Sequence, residues 1–414
     1  MLAKKTKLLG DLAERITVGY VGSMASEYVD KGIPFLRSLN IRPFFFDPSN
    51  LKYVTSKFHN KIKKSTLRPG DVAVVRTGSP GASCVIPDFL EEANCSDLVI
   101  IRCGEKLNPH FVSYYINSVT HSQIKGQLVG AIQKHFNIGS AKEIAFPDID
   151  KPTQSKIAAV LSTFDAKIDC NNRINAELEA MAKTLYDYWF VQFEFPDASR
   201  KPYRSSSGKM VYNTTLKREI PGGWTDSNIL AVADLFGGGT PTKKNTEYWN
   251  GDIPFFTPTD ADGTIFKFST ADFITEEGLK GSSTKLFGKH TVFITARGSV
   301  GRLVLAGVDM AMNQSCYALR AKPGISQTFL FFLAKELIHH LQVKSSGSVF
   351  NSIVSNDIEL TKLAIPTEDV IERFAAVVEP VFEKIANNTK ENQQLAQLRD
   401  WLLPMLMNGQ VTVV

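Results

Sequence analysis

"VVRTGSPG" (residues 74–81) and "ITARGSVG" (residues 294–301) are one short apolar strand with one glycine turn, written twice at a distance of 220 positions. Working outward from that pair, Ile33-Pro34-Phe35 falls over Ile253-Pro254-Phe255 and Gly19 over Gly239 at the same distance. Leu9, Leu12 and Ile16 fall over Ile229, Val232 and Phe236. "EIAFP" (143–147) matches "KLAIP" (362–366) at 219, and Ile168 and Leu178 match Ile385 and Leu395 at 217. So slow a drift marks a duplicated, domain-sized unit rather than a solenoid of short repeats.

Each copy has a mixed part followed by a helical part. In the mixed parts, "DVAVV" (71–75), "DLVIIR" (97–102), "HTVFIT" (290–295) and "CYALR" (316–320) have the length and composition of strands bounded by Gly/Pro turns. Helical spacing is expected over 108–125 and 326–342. The purely helical parts carry a heptad seam. In 153–190 it runs through Ile157, Phe164, Asn171, Leu178 and Leu185, with Leu161, Ile168, Asn175, Ala182 and Trp189 beside it. In 370–407 it runs through Phe374, Val381, Asn388, Leu395 and Leu402, with Val378, Ile385, Asn392, Arg399 and Leu406. Arg399 interrupts that row, and Pro380 is expected to kink the helix or break it near its start.

Asn171, Asn175, Asn388 and Asn392 occupy equivalent seam positions. Polar seam residues cost stability and fix register. An antiparallel pairing would bring Asn171 towards Asn392 and Asn175 towards Asn388; the alternative is two separate amphipathic helices, each packed on its own domain. A 38-residue helix would span roughly 57 Å, or roughly 17 base-pair steps of duplex DNA. The expected fold is therefore α+β: two mixed α/β domains in tandem duplication, separated and joined by two long helices that pair as an antiparallel coiled coil. Expected boundaries are 1–150 and 215–366 for the domains, 151–195 and 367–414 for the helices, and 196–214 for a linker.

Composition narrows the function. The chain has 414 residues, 43% hydrophobic and 21% charged, with a net charge of +5. No apolar run approaches membrane-span length and the N-terminus has no signal-peptide core. Five cysteines without C-x-x-C spacing suggest reduced, mostly buried thiols in a cytosolic protein. No P-loop, G-x-S-x-G, H-E-x-x-H or kinase set occurs; "GGGTPTKK" (237–244) lacks P-loop spacing. Two matching halves without paired catalytic groups favour binding over chemistry, with no cofactor or metal expected in the chain itself. The basic excess lies mainly in residues 1–150, where 49–70 holds Lys52, Lys57, Lys61, Lys63, Lys64 and Arg68 without an acidic residue. Such a run can hold a phosphate backbone through counterion release.

A family resemblance sharpens this. "GGGTPTKKNTEYWNGDIPFFTPTD" (237–260) resembles the opening of a target-recognition domain in specificity subunits of type I restriction–modification systems. "GAIQKHFN" (130–137), "LYDYWFVQFEFPD" followed by "IPGGW" (220–224), and "LRDWLLPMLMNGQV" (398–411) are similar to later elements of that family, in family order. The first domain departs from the pattern: Gly19-Tyr20-Val21-Gly22 stands for Gly239-Thr240-Pro241-Thr242, and Asp30-Lys31-Gly32 for Trp249-Asn250-Gly251. The resemblance implies a non-catalytic subunit that reads a split, asymmetric double-stranded DNA target, one half per domain. It implies docking of two modification (methyltransferase) subunits and of restriction (endonuclease/translocase) subunits, which bring S-adenosylmethionine, ATP and Mg²⁺, and no membrane partner. A stand-alone sequence-specific DNA-binding regulator is the competing reading.

Residue types suited to base edges and phosphates nominate Arg37, Asn40 and Arg42 in the first domain for bases, Lys61, Lys63 and Lys64 for phosphates, and Arg76, Thr77 and Ser79 from the glycine turn as further DNA contacts. In the second, Thr257, Thr259, Asp260, Arg297 and Ser299 are nominated, with Lys285 as a phosphate contact. Trp189, Trp249 and Trp401 are expected to serve packing.

Overall fold

A computed structural model describes residues 6–118, 135–344 and 351–413. Residues 130–134 of the "GAIQKHFN" element and 119–125 of the first helical patch lie outside them. The two octapeptides form the same hairpin. Strand Val72–Val75 pairs antiparallel with Ser83–Val85, and Val292–Thr295 with Leu303–Ala306. Val75 N donates to Ala82 O (2.8 Å) and Gly81 N to Val75 O (3.1 Å); Thr295 N donates to Arg302 O (3.0 Å) and Gly301 N to Thr295 O (2.8 Å). Gly78 and Gly81 have φ of 83° and 91°, and Gly298 and Gly301 have 81° and 82°. Only glycine takes such angles without penalty, so the G-x-x-G spacing is a requirement of the turn.

Around these hairpins the topology repeats. The first head has a sheet in the order Ser83–Val85, Val72–Val75, Leu98–Arg102, Arg15–Val18. In the second the order is Leu303–Ala306, Val292–Thr295, Cys316–Ala321, Ala233–Gly237, with Phe266–Lys267 added parallel at the edge beside Leu303–Ala306. A smaller sheet centres on Ile33–Leu36, antiparallel to Lys52–Val54 and parallel to Ala93–Cys95. Its counterpart centres on Trp249–Phe256, antiparallel to Asp272–Ile274 and parallel to Ala311–Met312. Tyr28–Val29 and Thr66–Leu67 widen this sheet in the first head only.

The central strands are buried on both faces, which is why they are continuously apolar. Val72, Val74, Val99 and Ile101 pack with Phe111 and Val112, whereas Ala73, Val75, Leu98 and Ile100 pack with Leu36 and Cys84 on the opposite face. In the second head Val292 and Ile294 pack with Phe329 and Leu330, and Phe293 with Phe256 and Val304.

The longest helices among the described residues are α1 (Pro109–Ser118), α2 (Lys151–Tyr186), α3 (Gln327–Lys344) and α4 (Glu368–Asn408). A π-helical turn, Asp187–Val191, extends α2 and buries Trp189 and Phe190. Every seam position of α2 and α4 is buried or half-buried. The pairing is antiparallel: Asn388 Nδ2 donates to Asn175 Oδ1 at 2.8 Å, and Asn171 Nδ2 to Glu391 Oε2 at 2.7 Å. Of the kink or break expected at Pro380, the break does not occur, and α4 runs on through it. Pro380 lies on the exposed face, as does Ala376, whose carbonyl loses its donor where water can replace it. Trp401 also departs from expectation: it is 62% exposed, whereas Trp189 is buried.

The helices do not form a body of their own. The chain divides into two compact units, residues 1–169 with 392–414, and residues 170–391. In the first unit Leu403, Leu406 and Met407 of α4 share a core with Ile157 and Leu161 of α2 and with Phe111 of α1. In the second, Phe374, Val378 and Phe382 of α4 share a core with Tyr186 and with Phe329 and Phe332 of α3. The intended linker contains Met210–Asn213, which pairs with Arg218–Pro221 as a hairpin. No helix of the described residues is long and apolar enough to cross a membrane.

Candidate nucleic-acid interface

In the first head the smaller sheet's central strand runs into a single turn, Ser38–Asn40. Asn40 is fully buried: its Oδ1 accepts Arg37 N (3.0 Å) and its Nδ2 donates to Asp47 O (3.0 Å) and Ser49 O (3.1 Å). Nominated to read bases, it instead folds the loop, because every polar atom of the amide is engaged internally. Arg37 is half-buried and donates Nη2 to Asn50 O at 2.7 Å, leaving a buried Nε without a partner.

Arg42 follows on a two-stranded hairpin, Ile41–Arg42 with Phe45–Phe46, and is exposed, 3.6 Å from Asp47. That hairpin leans on the glycine turn. Phe44 N donates to Ser83 O (2.9 Å), and a cavity of about 360 Å³ lies between Pro43 and Ser79–Ala82. Arg42 and Ser79, both exposed, therefore border the same loop cluster. Arg76 and Thr77 are half-buried: Arg76 O accepts Phe136 N (3.0 Å), and Thr77 Oγ1 donates to the Asp97 carboxylate.

The nominated lysines occupy another element. Helix Ser56–Lys61, capped by Thr55 Oγ1, and the turn Lys63–Ser65 bury Phe58, Ile62 and Ser65 and leave Lys57, Lys61, Lys63 and Lys64 exposed. A buried polar group fixes this element from beneath. His59 Nε2 is 3.0 Å from Glu92 Oε1, and Ser65 Oγ donates to Asn94 Oδ1 at 2.6 Å. Composition revealed the basic run; its anchor, scattered over 35 positions, it did not.

The second head repeats the scheme. Asp260 is 7% exposed and its carboxylate accepts Thr257 N (2.8 Å), Thr257 Oγ1 (2.8 Å) and Ala271 N (2.9 Å). Like Asn40, it braces the turn rather than facing outward. The T-x-x-D spacing was the available signal, since it is that of a capping box. Thr259 is exposed, its Oγ1 2.7 Å from Thr257 Oγ1. This turn lies against the glycine turn: a Cβ on Gly298 would come 3.6 Å from Pro258 Cβ, and the Arg302 guanidinium donates to Ala261 O. Thr257, Thr259, Arg297 and Ser299 are thereby gathered, with Arg297 exposed. Lys285 stands elsewhere, its Nζ 5.2 Å above the Phe236 ring, which Arg320 also faces at 4.9 Å.

The "GGGTP…W" motif proves architectural. A Cβ on Gly238 would meet Asn313 O at 2.1 Å, and one on Gly239 would meet Ser283 Oγ at 2.1 Å. Trp249 is half-buried against Phe255 (5.5 Å), donates Nε1 to Thr242 O (3.2 Å), and carries Lys243 Nζ 5.6 Å from its ring.

Comparison with known proteins follows the duplication. A family model described as type I restriction modification DNA specificity domain matches residues 5–180 and again 221–397. The type I restriction enzyme MjaIX specificity subunit of Methanocaldococcus jannaschii is 29% identical over 280 residues, 66% of this chain and 62% of that protein, so the alignment spans under two thirds of that relative. The HindI specificity subunit of Haemophilus influenzae is 24% identical over 442 aligned positions, 90% of this chain and 92% of that one. The crystal structure of a type I restriction–modification S subunit from M. genitalium superimposes with a TM-score of 0.53 at 13% identity, over 98% of this chain and 97% of that chain, which shows likeness of fold.

Proposed function

Because the chain belongs to the type I restriction modification DNA specificity family, we propose that its two heads each recognise one half of a split, asymmetric duplex target. The observation that carries this is one scaffold bearing different side chains on equivalent turns. Arg42 stands where the second head has Asp262, Leu39 where it has Thr259, and Thr77 where it has Arg297. Matching frames with unlike tips suit two unlike half-sites. Arg42, Ser79, Thr257, Thr259, Arg297 and Ser299 are assigned to base edges, with Arg able to engage guanine and Thr/Ser either base type. Lys61, Lys63 and Lys64 are assigned to the phosphates, with Lys285 in the second head.

The paired helices then set the unread gap, and their outer faces receive partner subunits. Two exposed apolar patches support this. One holds Met181 (64% exposed) and Val377 (52%) above a cavity of about 500 Å³. The other holds Leu398 (50%), at the position equivalent to Met181, and Trp401. Repetition of the patch fits two copies of one partner. That partner is a methyltransferase subunit that brings S-adenosylmethionine and takes an adenine out of the duplex; restriction subunits bring ATP and Mg²⁺.

The test is co-expression with the neighbouring modification subunit and mapping of methylated adenines. A split motif, one adenine modified in each half on opposite strands, is expected. A continuous motif removes the gap-setting role, and no new methylation despite verified partner binding removes the reading.

A further inference from the structure

Arg399 was the misfit of the seam, and the structure gives it partners on two other elements. Its side chain is 11% exposed, and Nη1 donates to Asp165 Oδ1 of α2 at 2.6 Å. Nε and Nη2 reach Asp400 Oδ1 at 3.0 and 2.8 Å. Tyr114 Oη of α1 donates to the other oxygen of Asp165. The guanidinium carbon lies 4.0 Å from the centroid of the Phe44 ring, and Phe44 meets Tyr114 at 5.3 Å. A loop of the DNA-facing head is thus clasped to both long helices within one compact unit.

Phe44 is a peculiar residue to find there. It closes the two-residue loop between Arg42 and Phe45 with φ of 68°. Proline followed by a residue of positive φ is the pattern of a type II turn, which favours glycine at the second place. A bulky residue held at such an angle persists only when its surroundings over-determine it, and such residues gather at functional sites. Here the ring supplies the reason, filling the space between Tyr114 and the guanidinium face.

Among the described residues the second head has no such clasp. At the places of Tyr114, Asp165 and Arg399 stand Phe332, Phe382 and Ala182, and Phe332 packs on Phe382 at 5.6 Å. Thr264, exposed, stands for Phe44. An apolar junction would have served the first head equally for stability, and a desolvated ion pair is weak evidence for stability in any case. What the polar version adds is a flat cationic face directed at one loop residue.

We propose that Arg399, held by Asp165 and Tyr114, is a positioning residue that locks Phe44 and so fixes Arg42 for reading the first half-site. This rests on the two-head reading above. The experiment uses the full chain with its modification subunit and maps methylated adenines for wild type, Phe44→Gly, the paired change Arg399→Gln with Asp165→Asn, Arg399→Lys and Arg42→Gln. Phe44→Gly suits the backbone angle and removes only the ring; the paired change leaves no unpaired buried charge. Both are expected to relax, by about tenfold, discrimination at the base pair that Arg42→Gln also relaxes. The second half-motif stays unchanged, and Arg399→Lys, which keeps charge but not the planar face, falls between. An unaltered first half-motif in the folded variants, or equal relaxation of both halves, overturns the proposal while leaving the two-head reading intact. A wild-type chain without a split motif overturns the reading itself, and the positioning role with it.

Discussion

Asn175 and Asn388 show what a single side chain can decide. Joined at 2.8 Å and at most 9% exposed, they form a buried, hydrogen-bonded polar layer in the seam. Replacing Asn388 by Ala leaves the buried Asn175 Oδ1 without its donor and should lower stability by about 1–3 kcal/mol, read as a fall in thermal midpoint. Replacing both by Leu should restore or raise that midpoint, at the expense of register. The cysteines make a second residue-scale case. Burial pushes the Cys84, Cys103 and Cys316 thiols up to about 12, with Asp71 adding to Cys103 and Asp260 to Cys316, and burial raises Cys95 as well. Since the thiolate is the nucleophile, brief alkylation of the folded protein at pH 8 should label half-exposed Cys170 and spare the other four, as peptide mass mapping would report. At this scale the sequence was partly legible. The asparagine layer followed from heptad spacing. The bracing roles of Asn40 and Asp260 were not legible, because a polar residue in a loop suits a base and a backbone amide equally, and only burial separates the two.

Among the elements, the hairpins were legible because G-x-x-G after an apolar strand has few alternatives, and a duplicated copy checks each assignment. The parallel neighbours within the smaller sheets were not, since Ile33–Leu36 and Ala93–Cys95 are nearly sixty positions apart and neither carries a pairing signal. The continuity of α4 through Pro380 was hidden likewise: whether a missing N–H matters depends on which face meets water, which a proline rule does not contain. Two predictions belong here. Gly239→Ala would drive a methyl group into Ser283 and the Thr284 backbone, so the second head should lose stability and protease resistance while the first keeps both. Changing Lys61, Lys63 and Lys64 together to Gln should weaken DNA binding evenly across sequences. It should also flatten the slope of log affinity against log salt by about two to three, measured by titration at several salt concentrations.

At the scale of the molecule, lengthening α2 and α4 together by seven residues adds about 10 Å of helix, roughly three base-pair steps. Methylation mapping should then show a wider gap between unchanged half-motifs; altered half-motifs with the old gap would refute a ruler. Duplication and helical stem were both visible in the sequence at this scale. What periodicity could not reveal was the partition of the stem between the heads, because a seam has no natural break and the cores that claim its two ends are built from residues hundreds of positions apart.

That partition has a consequence in time. Residues 170–391 form one compact unit from an uninterrupted stretch, whereas the unit that begins the chain is completed by residues 392–414, including Leu403, Leu406 and Met407 in its core. On the ribosome the second head therefore has all its parts before the first does, although the first is started earlier. A chain arrested near residue 391 should carry a protease-resistant second head and a first head open to cleavage. Until Leu403, Leu406 and Met407 have been made, the head that was started first still lacks part of its own core.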